Sequence, residues 1–267
     1  MKNPPFFITS AASRRDFLKA AALAGGALTL AGCSGGAPPA AADTLEQTAP
    51  PSGTTDTAAD SPPAEYLPPI DGSFDSVPLP APKKSGGLPL MEALALRESR
   101  RSYAKGEIPL QTLSDLLWAA FGINRPSKGL RTAPSAVNAQ DVDIYLATAK
   151  GLFLYRPGEH ALQAVLAGDL RPLTATQSFA AQAPVNLVYV SDYRKLESLS
   201  SGEYGEVTLA WSWINTGFIS QNVYLFCASE GLGTVVRAWV DRSELEDAMG
   251  LEDGKHITMA QSVGYPG

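Results

Sequence analysis

Residues 131–140, Arg-Thr-Ala-Pro-Ser-Ala-Val-Asn-Ala-Gln, combine small and amide-bearing side chains in a way that no packed core requires. Pro134 holds one backbone angle and biases Ala133 toward an extended conformation, while Ser135 and Ala136 are small enough for a planar ring to approach the main chain. Asn138 and Gln140 then offer side chains that both donate and accept hydrogen bonds. That pairing suits a heterocycle whose edge alternates carbonyl oxygens with ring nitrogens, such as an isoalloxazine. Read by itself, the stretch is equally well a polar connecting loop.

A second group could hold the charged end of such a ligand. Arg100, Arg101 and Ser102 can grip a phosphate through charge-assisted bonds, although two arginines and a serine are more often solvated surface. Other chemistries lack their residues. The two histidines, His160 and His256, are far apart and have no Cys or carboxylate at ligand spacing, so no metal site is expected. Cys227 lies in the most apolar stretch, where a buried thiol is normally inert. No Walker sequence occurs, and Gly231-Leu-Gly233 lacks the third glycine and the preceding strand of a dinucleotide fingerprint. With no constellation for side-chain catalysis, the pattern points to chemistry supplied by an electron-storing cofactor.

These groups need elements to position them. Leu90, Met91, Leu94 and Arg97 fall at helical spacing and carry the chain into the basic cluster. A second helix follows Pro109, with Leu113, Leu116, Leu117, Ala120 and Phe121 on one face and Gly122 as its stop. From Val142 the period becomes two: residues 142–147 and 152–155 read as a hairpin, and Pro157-Gly158 marks a further turn before 161–165. A short helix is expected around 173–180, then a buried central strand over 185–190. Residues 207–230 are apolar nearly all round, which places a helix in the centre of a core or in a subunit interface; Asn215, Gln221 and Asn222 argue against a membrane span. Asp241-Arg-Ser-Glu244 has capping-box spacing for a last helix through Met249, and 257–263 reads as the final strand. Helices and hairpins intermingle without βαβ alternation, so the fold class is α+β, with helices packed on an antiparallel or mixed sheet.

Of the 21 prolines in this 267-residue chain, 12 fall within 34–90, in a segment rich in Ala, Ser, Thr and Gly. Such a composition buries too little surface to offset ordering entropy, so 34–87 reads as a disordered linker and 88–267 as one domain. The net charge is −6; residues 1–32 hold four of the 21 basic and one of the 27 acidic residues, so the remainder has 17 against 26, a net of −9. A surface of that sign repels a phosphate backbone, which argues against nucleic acid as a partner. Residues 1–33 have the basic, apolar, small-residue order of a secretory signal. Arg14-Arg15 before Phe17-Leu-Lys19 resembles a twin-arginine export signal, and Leu30-Ala-Gly-Cys33 resembles a bacterial lipobox. Lipidation of Cys33 would tether the domain to a membrane surface facing the periplasm or cell exterior, and would leave Cys227 without a disulfide partner.

Taken in order, Arg100-Arg-Ser102, Leu116-Leu-Trp-Ala119, residues 131–140, the helix from Phe218 to Leu232, and Gly231-Leu-Gly-Thr-Val-Val-Arg-Ala-Trp-Val-Asp241 resemble the FMN-dependent nitroreductase family, and most of all its SagB-type, azoline-dehydrogenase-like branch. The resemblance implies an α+β fold of two interlocked subunits with FMN at their interface. Arg100, Arg101 and Ser102 match the family's phosphate- and ribityl-binding start, and Ser135, Ala136, Asn138 and Gln140 match the loop that lies along the flavin. The backbone near Arg237, Ala238 and Trp239 matches the segment that donates a hydrogen bond near flavin N5, where a donor stabilises charge on the reduced ring. Two departures stand out. Ala104 occupies a position that is basic in many relatives, with Lys105 beside it, and the chain ends at Gly267 where relatives often carry further basic residues. Either Lys105, Arg131 or Arg237 compensates, or FMN binds weakly.

The resemblance implies a homodimeric FMN-dependent oxidoreductase that moves hydride from a reduced donor, NAD(P)H or another, to a small-molecule acceptor with no side chain acting as acid or base. An azoline oxidase acting on peptides is a variant of that reading. The alternative from a different class is a membrane-tethered lipoprotein of the same fold that binds flavin or another ligand without turnover.

Overall fold

The computed structural model describes residues 65–199 and 205–267; the signal-like segment with Cys33 and most of the proline-rich stretch lie outside the described residues. A seven-stranded sheet runs in the order β1-β6-β5-β4-β7-β9-β8 and every pairing is antiparallel. Its strands are β1 (Ser76–Pro78), β4 (Val142–Thr148), β5 (Gly151–Arg156), β6 (Ala161–Leu166), β7 (Val185–Asp192), β8 (Gly233–Arg237) and β9 (Lys255–Gly264); β2 (Ile123–Arg125) and β3 (Leu130–Arg131) form a separate small hairpin. Among the described residues five α-helices accompany them: α1 (Leu90–Leu96), α2 (Leu110–Phe121), α3 (Phe179–Gln182), α4 (Glu206–Ser229) and α5 (Arg242–Met249).

Strand periodicity divides the core into two layers. Ile144, Leu146, Leu187 and Tyr189 face α2 and α4, while Tyr145, Ala147, Val188 and Val190 face Leu245 and Met249 of α5. Every residue of β7 is buried, as expected for a central strand covered on both faces. Helix α5 begins as its capping box requires, with Asp241 accepting from the Glu244 N–H at 3.2 Å, and ends at Gly250 with φ of 62°. The expected helix around 173–180 is two shorter pieces, a 3₁₀ turn over Arg171–Thr174 and α3.

Two expectations need correction. Residues 65–87, assigned by composition to the linker, are ordered: Leu67 and Leu79 lie in the core and β1 pairs with β6. Proline lacks an N–H, but on an edge strand that loss is harmless, and Leu67, Ile70, Phe74, Val77 and Leu79 supply enough apolar surface to dock the segment. The second concerns α4. Its buried face is largely small and polar, including Thr208, Ser212, Asn215, Thr216 and Ser220, whereas Val207, Ile214 and Phe218 are exposed. Helix α1 packs on α4 and likewise buries only Ala93, leaving Leu90, Met91 and Leu94 outward. Within one protomer α4 enters the core through Ile219, Val223 and Cys227 on one face and leaves its other face uncovered. Of the two environments suggested by its apolarity, an interface accounts for the outward stripe.

Candidate active site

The basic cluster and the Gly231–Asp241 stretch come together along β8. Glycine at 231, with φ of 68°, turns the chain out of α4, and the Leu232 N–H donates back to the Cys227 carbonyl at 2.8 Å. Strand β8 is a sheet edge, and residues 97–103 run beside it: the Arg100 N–H donates to the Thr234 carbonyl at 2.9 Å. The Val236 N–H donates to Tyr224 Oη at 3.0 Å, and that hydroxyl also bonds Ser99 Oγ at 2.9 Å. Close passage of the two segments requires Gly233, where an added Cβ would lie 3.3 Å from the Arg100 side chain. The Gly267 N–H donates to the Ser102 carbonyl at 3.2 Å, so the last described residues also fasten this segment.

Arg100 and Arg101 are both exposed and line different cavities on the two sides of the segment. Arg100, paired with Glu98, borders a cleft of about 360 Å³ with Tyr224, Leu232 and Thr234. Arg101 borders a cavity of about 220 Å³ with Gln177, Val236, Arg237, Ala238 and Trp239. The Trp239 side chain is 71% exposed, and Ala238 is exposed beside it. Arg237 points the other way. It is buried, and its guanidinium donates to the Thr174 carbonyl at 2.6 Å, Asn186 Oδ1 at 2.8 Å and Ser262 Oγ at 3.1 Å. All of those partners are uncharged and Nε has none, so burial pushes the Arg237 pKa down to about 10. With its donors turned into the protein, Arg237 leaves the two solvent-facing arginines beside β8 as the groups that fit the phosphate of a phosphorylated planar cofactor.

Residues 131–140 form a second centre. Val137, Asn138 and Gln140 have φ of 47°, 54° and 48°, and the β-branched Val137 in the left-handed region is strained while its side chain stands 64% exposed. Gln140 braces this turn. Its Oε1 accepts from Arg131 Nε at 2.8 Å, its Nε2 donates to the Gly129 carbonyl at 3.0 Å and to Asn138 Oδ1 at 3.3 Å, and its N–H donates to Ser135 Oγ at 3.0 Å. The Gln140 amide is thus committed to its own loop, while Ser135 and Ala136 are half-buried and Asn138 lies at the surface. Beneath the loop, Asp141 is fully buried and accepts from Ser191 Oγ at 2.6 Å and from Asn215 Nδ2 at 2.7 Å. Asn215 Oδ1 accepts from the Ala136 N–H at 3.0 Å. This network was not singled out from the sequence. Its signal was there in the polar residues at positions 208, 212, 215, 216 and 220 of an otherwise apolar helix, which mark one face.

One protomer does not bring the two centres together. Thr148, Val185, Val263 and Thr234 lie in one row across β4, β7, β9 and β8, and the loop enters β4 six residues away at Val142. That places the loop roughly 14 Å across the sheet from β8 and, along the strands, roughly 20 Å from Thr234 but only roughly 10 Å from Arg237, which shares a row with Tyr145. Arg100, Arg101, Ser102, Arg237, Ala238 and Trp239 thus form one group, and Ser135, Ala136, Asn138 and Gln140 another. Lys105 belongs with neither: it borders a third cavity with Ile108, Lys150 and Arg171. Cys227 is buried against α4's sheet face, and burial pushes its thiol well up, consistent with an inert role.

Residues 94–265 match the model of the nitroreductase family. A protein of Methanocaldococcus jannaschii assigned to the nitroreductases is 29% identical over 175 residues, covering 61% of this chain and 85% of its own length. A solved structure from Ralstonia eutropha, also assigned to the nitroreductases, is 37% identical with a TM-score of 0.70, covering 76% of this chain and 94% of that one. A chain of the Escherichia coli microcin synthetase McbBCD complex shares the fold at 20% identity and a TM-score of 0.54, covering 70% of this chain and 76% of that one. With its all-antiparallel sheet, its basic edge at β8 and a family match running from α1 to the end of β9, this chain belongs to the nitroreductase family of flavin-dependent oxidoreductases.

Proposed function

We propose that the domain binds FMN between two copies of itself and is an oxidoreductase of the SagB-type branch. The observation that carries the two-copy arrangement is the outward apolar stripes of α1 and α4, together with the three-strand gap between the loop and β8 within one protomer. A second copy docked on those helices would supply its strained loop opposite the first copy's β8 edge. Arg100, Arg101 and Ser102 would hold the phosphate and ribityl chain, and the main chain at Ala238 and Trp239 would donate to the ring. Ser135, Ala136 and Asn138 would line the opposite wall, held in shape by Gln140. The flavin, when bound, supplies hydride storage between a reduced donor such as NAD(P)H and a small-molecule acceptor. The exposed Trp239 and the open cavity beside it leave room for that acceptor.

Full-length protein purified from cytoplasm is expected to show the visible absorption of an oxidised flavin and to bleach on addition of a reduced nicotinamide. Protein that neither carries nor takes up flavin would sink the proposal. The position of Lys105 in a separate cavity favours a second reading, since it removes one of the residues that would complete the phosphate grip. Flavin bound tightly but reduced by no nicotinamide, quinone or dithionite would identify a non-catalytic flavin-binding lipoprotein instead.

We further propose that the twin-arginine-like segment exports the chain already folded and that lipidated Cys33 holds it on the outer side of a membrane. Among the described residues no helix is long and apolar enough to cross one. Cys33→Ser is expected to move the protein from the membrane fraction to the soluble fraction; unchanged membrane association would remove the anchor.

A further inference from the structure

The strained loop needs something to hold it, and the buried carboxylate directly beneath it is Asp141. An ionised carboxylate accepts and cannot donate. Its Oδ2 takes the Ser191 hydroxyl at 2.6 Å and its Oδ1 takes the donor edge of Asn215 at 2.7 Å. With the Asn215 amino group committed there, its carbonyl must face the other way, toward the Ala136 N–H at 3.0 Å. Asn215 itself is 1% exposed, so its amide is shielded from bulk solvent. The Asp141 carbonyl meanwhile accepts from the Asp192 N–H at 2.8 Å, which ties the same residue to the end of β7.

We propose that Asp141 is a positioning residue: by fixing the hydrogen-bond polarity of Asn215 it pins Ala136 to helix α4 and thereby holds Val137, Asn138 and Gln140 in their left-handed conformations. The chain of dependence runs from Ser191 and Asp141 through Asn215 to Ala136. An amide free to rotate would present its donor edge to another donor, and the loop would relax toward ordinary backbone angles. The value of this polarity for ligand binding rests on the proposal that the loop forms a wall of the flavin site; the pinning itself does not.

The test first adds a carboxylate and then exchanges the two groups, the double variant restoring the original volume and net charge. In Asn215→Asp, two carboxyl groups face each other across the 2.7 Å contact and either separate or share a proton, so exchange is compared above and below neutral pH and the reading is taken where both are ionised and must part. In the double variant Asp141→Asn with Asn215→Asp, the Ser191 hydroxyl donates to the new amide carbonyl, the new amino group donates to the new carboxylate, and the second carboxylate oxygen accepts from Ala136. Hydrogen exchange is measured on the 131–141 peptide of full-length, flavin-free protein. Protection is expected to fall at least tenfold in Asn215→Asp and to return in the double variant, while the sheet peptides stay unchanged. Loop protection unaltered by Asn215→Asp, or not recovered by the folded double variant, would overturn the proposal. Should Asn215→Asp not fold, Asn215→Ser supplies the same readout, because its hydroxyl is too short to bridge Asp141 and Ala136; undiminished protection there would equally overturn it. FMN titration of the same variants separates the two readings. Affinity that tracks loop protection supports both, and pinning that is lost and recovered without change in affinity removes the loop from the flavin site.

Discussion

The β8 edge and the 131–140 loop are built by different physics. At the β8 edge the backbone is extended and relaxed, the segments that meet are zipped by main-chain hydrogen bonds, and Arg100 and Arg101 project into solvent. In the loop the backbone itself is strained, few charges are present, and the shape depends on Asp141 and Asn215, which lie 74 residues apart in the chain. One region offers charge on an ordinary frame. The other offers a precisely held surface on an unusual frame. A charged edge tolerates neighbours moving by a few tenths of an ångström, because electrostatic attraction falls off gently with distance. A strained loop does not, because it returns to common backbone angles as soon as its buried partners let go.

Several substitutions would break or sharpen that contrast. The largest effect is expected where both regions depend on the same contact. Phe218→Glu places a charge in the outward stripe of α4 in both copies of a two-fold contact and should weaken self-association by about 4 to 8 kcal/mol. Sedimentation would show a monomer, and flavin would be lost with it because the two halves part; a monomer that keeps full flavin affinity would show that one protomer suffices. Next, Arg100→Ala with Arg101→Ala removes the charges of the β8 edge alone. Each lost phosphate bond should cost about 1.5 to 3 kcal/mol of binding, read by flavin fluorescence, with the melting temperature of the flavin-free protein nearly constant. Unchanged affinity would reject the phosphate assignment. The smallest effect is expected in the loop. Val137→Asn replaces a β-branched residue by one that accepts left-handed angles, and should raise the stability of the flavin-free protein by about 1 kcal/mol. A neutral or lower melting temperature would mean that the strain at Val137 is relieved elsewhere.

Elements with strong local periodicity were legible in the sequence. Helix α2, the β4–β5 hairpin, strand β7 and the capped helix α5 all follow from spacing and turn residues, because each buries a face set by its own pattern. Strand β8 was not legible as a strand, since its five residues follow directly on a long helix and show no clean alternation. Residues 65–87 were hidden by their prolines. Their order depends on a sheet edge and on contacts such as Ser114 Oγ donating to the Pro80 carbonyl at 2.6 Å, which no local composition announces. Gln140 shows the same limit at the site. Its residue type suggested a ligand-facing amide, but the nearby donors and acceptors of Arg131 and Gly129 take that amide first.

By itself, the sequence determined which residue types were available for binding and the order in which they come, because charge, amide chemistry and small size are properties of single side chains. It also determined the absence of an obvious nucleophile or metal cluster from its motifs. Only the tertiary structure decided which of those residues meet. Sheet order and register put the basic cluster beside β8 and the 131–140 loop three strands away from it, and burial turned Arg237 inward while turning Phe218 and Ile214 out. The polarity of the Asp141–Asn215 bond could be decided nowhere else, since it exists only where β4, β7 and α4 converge.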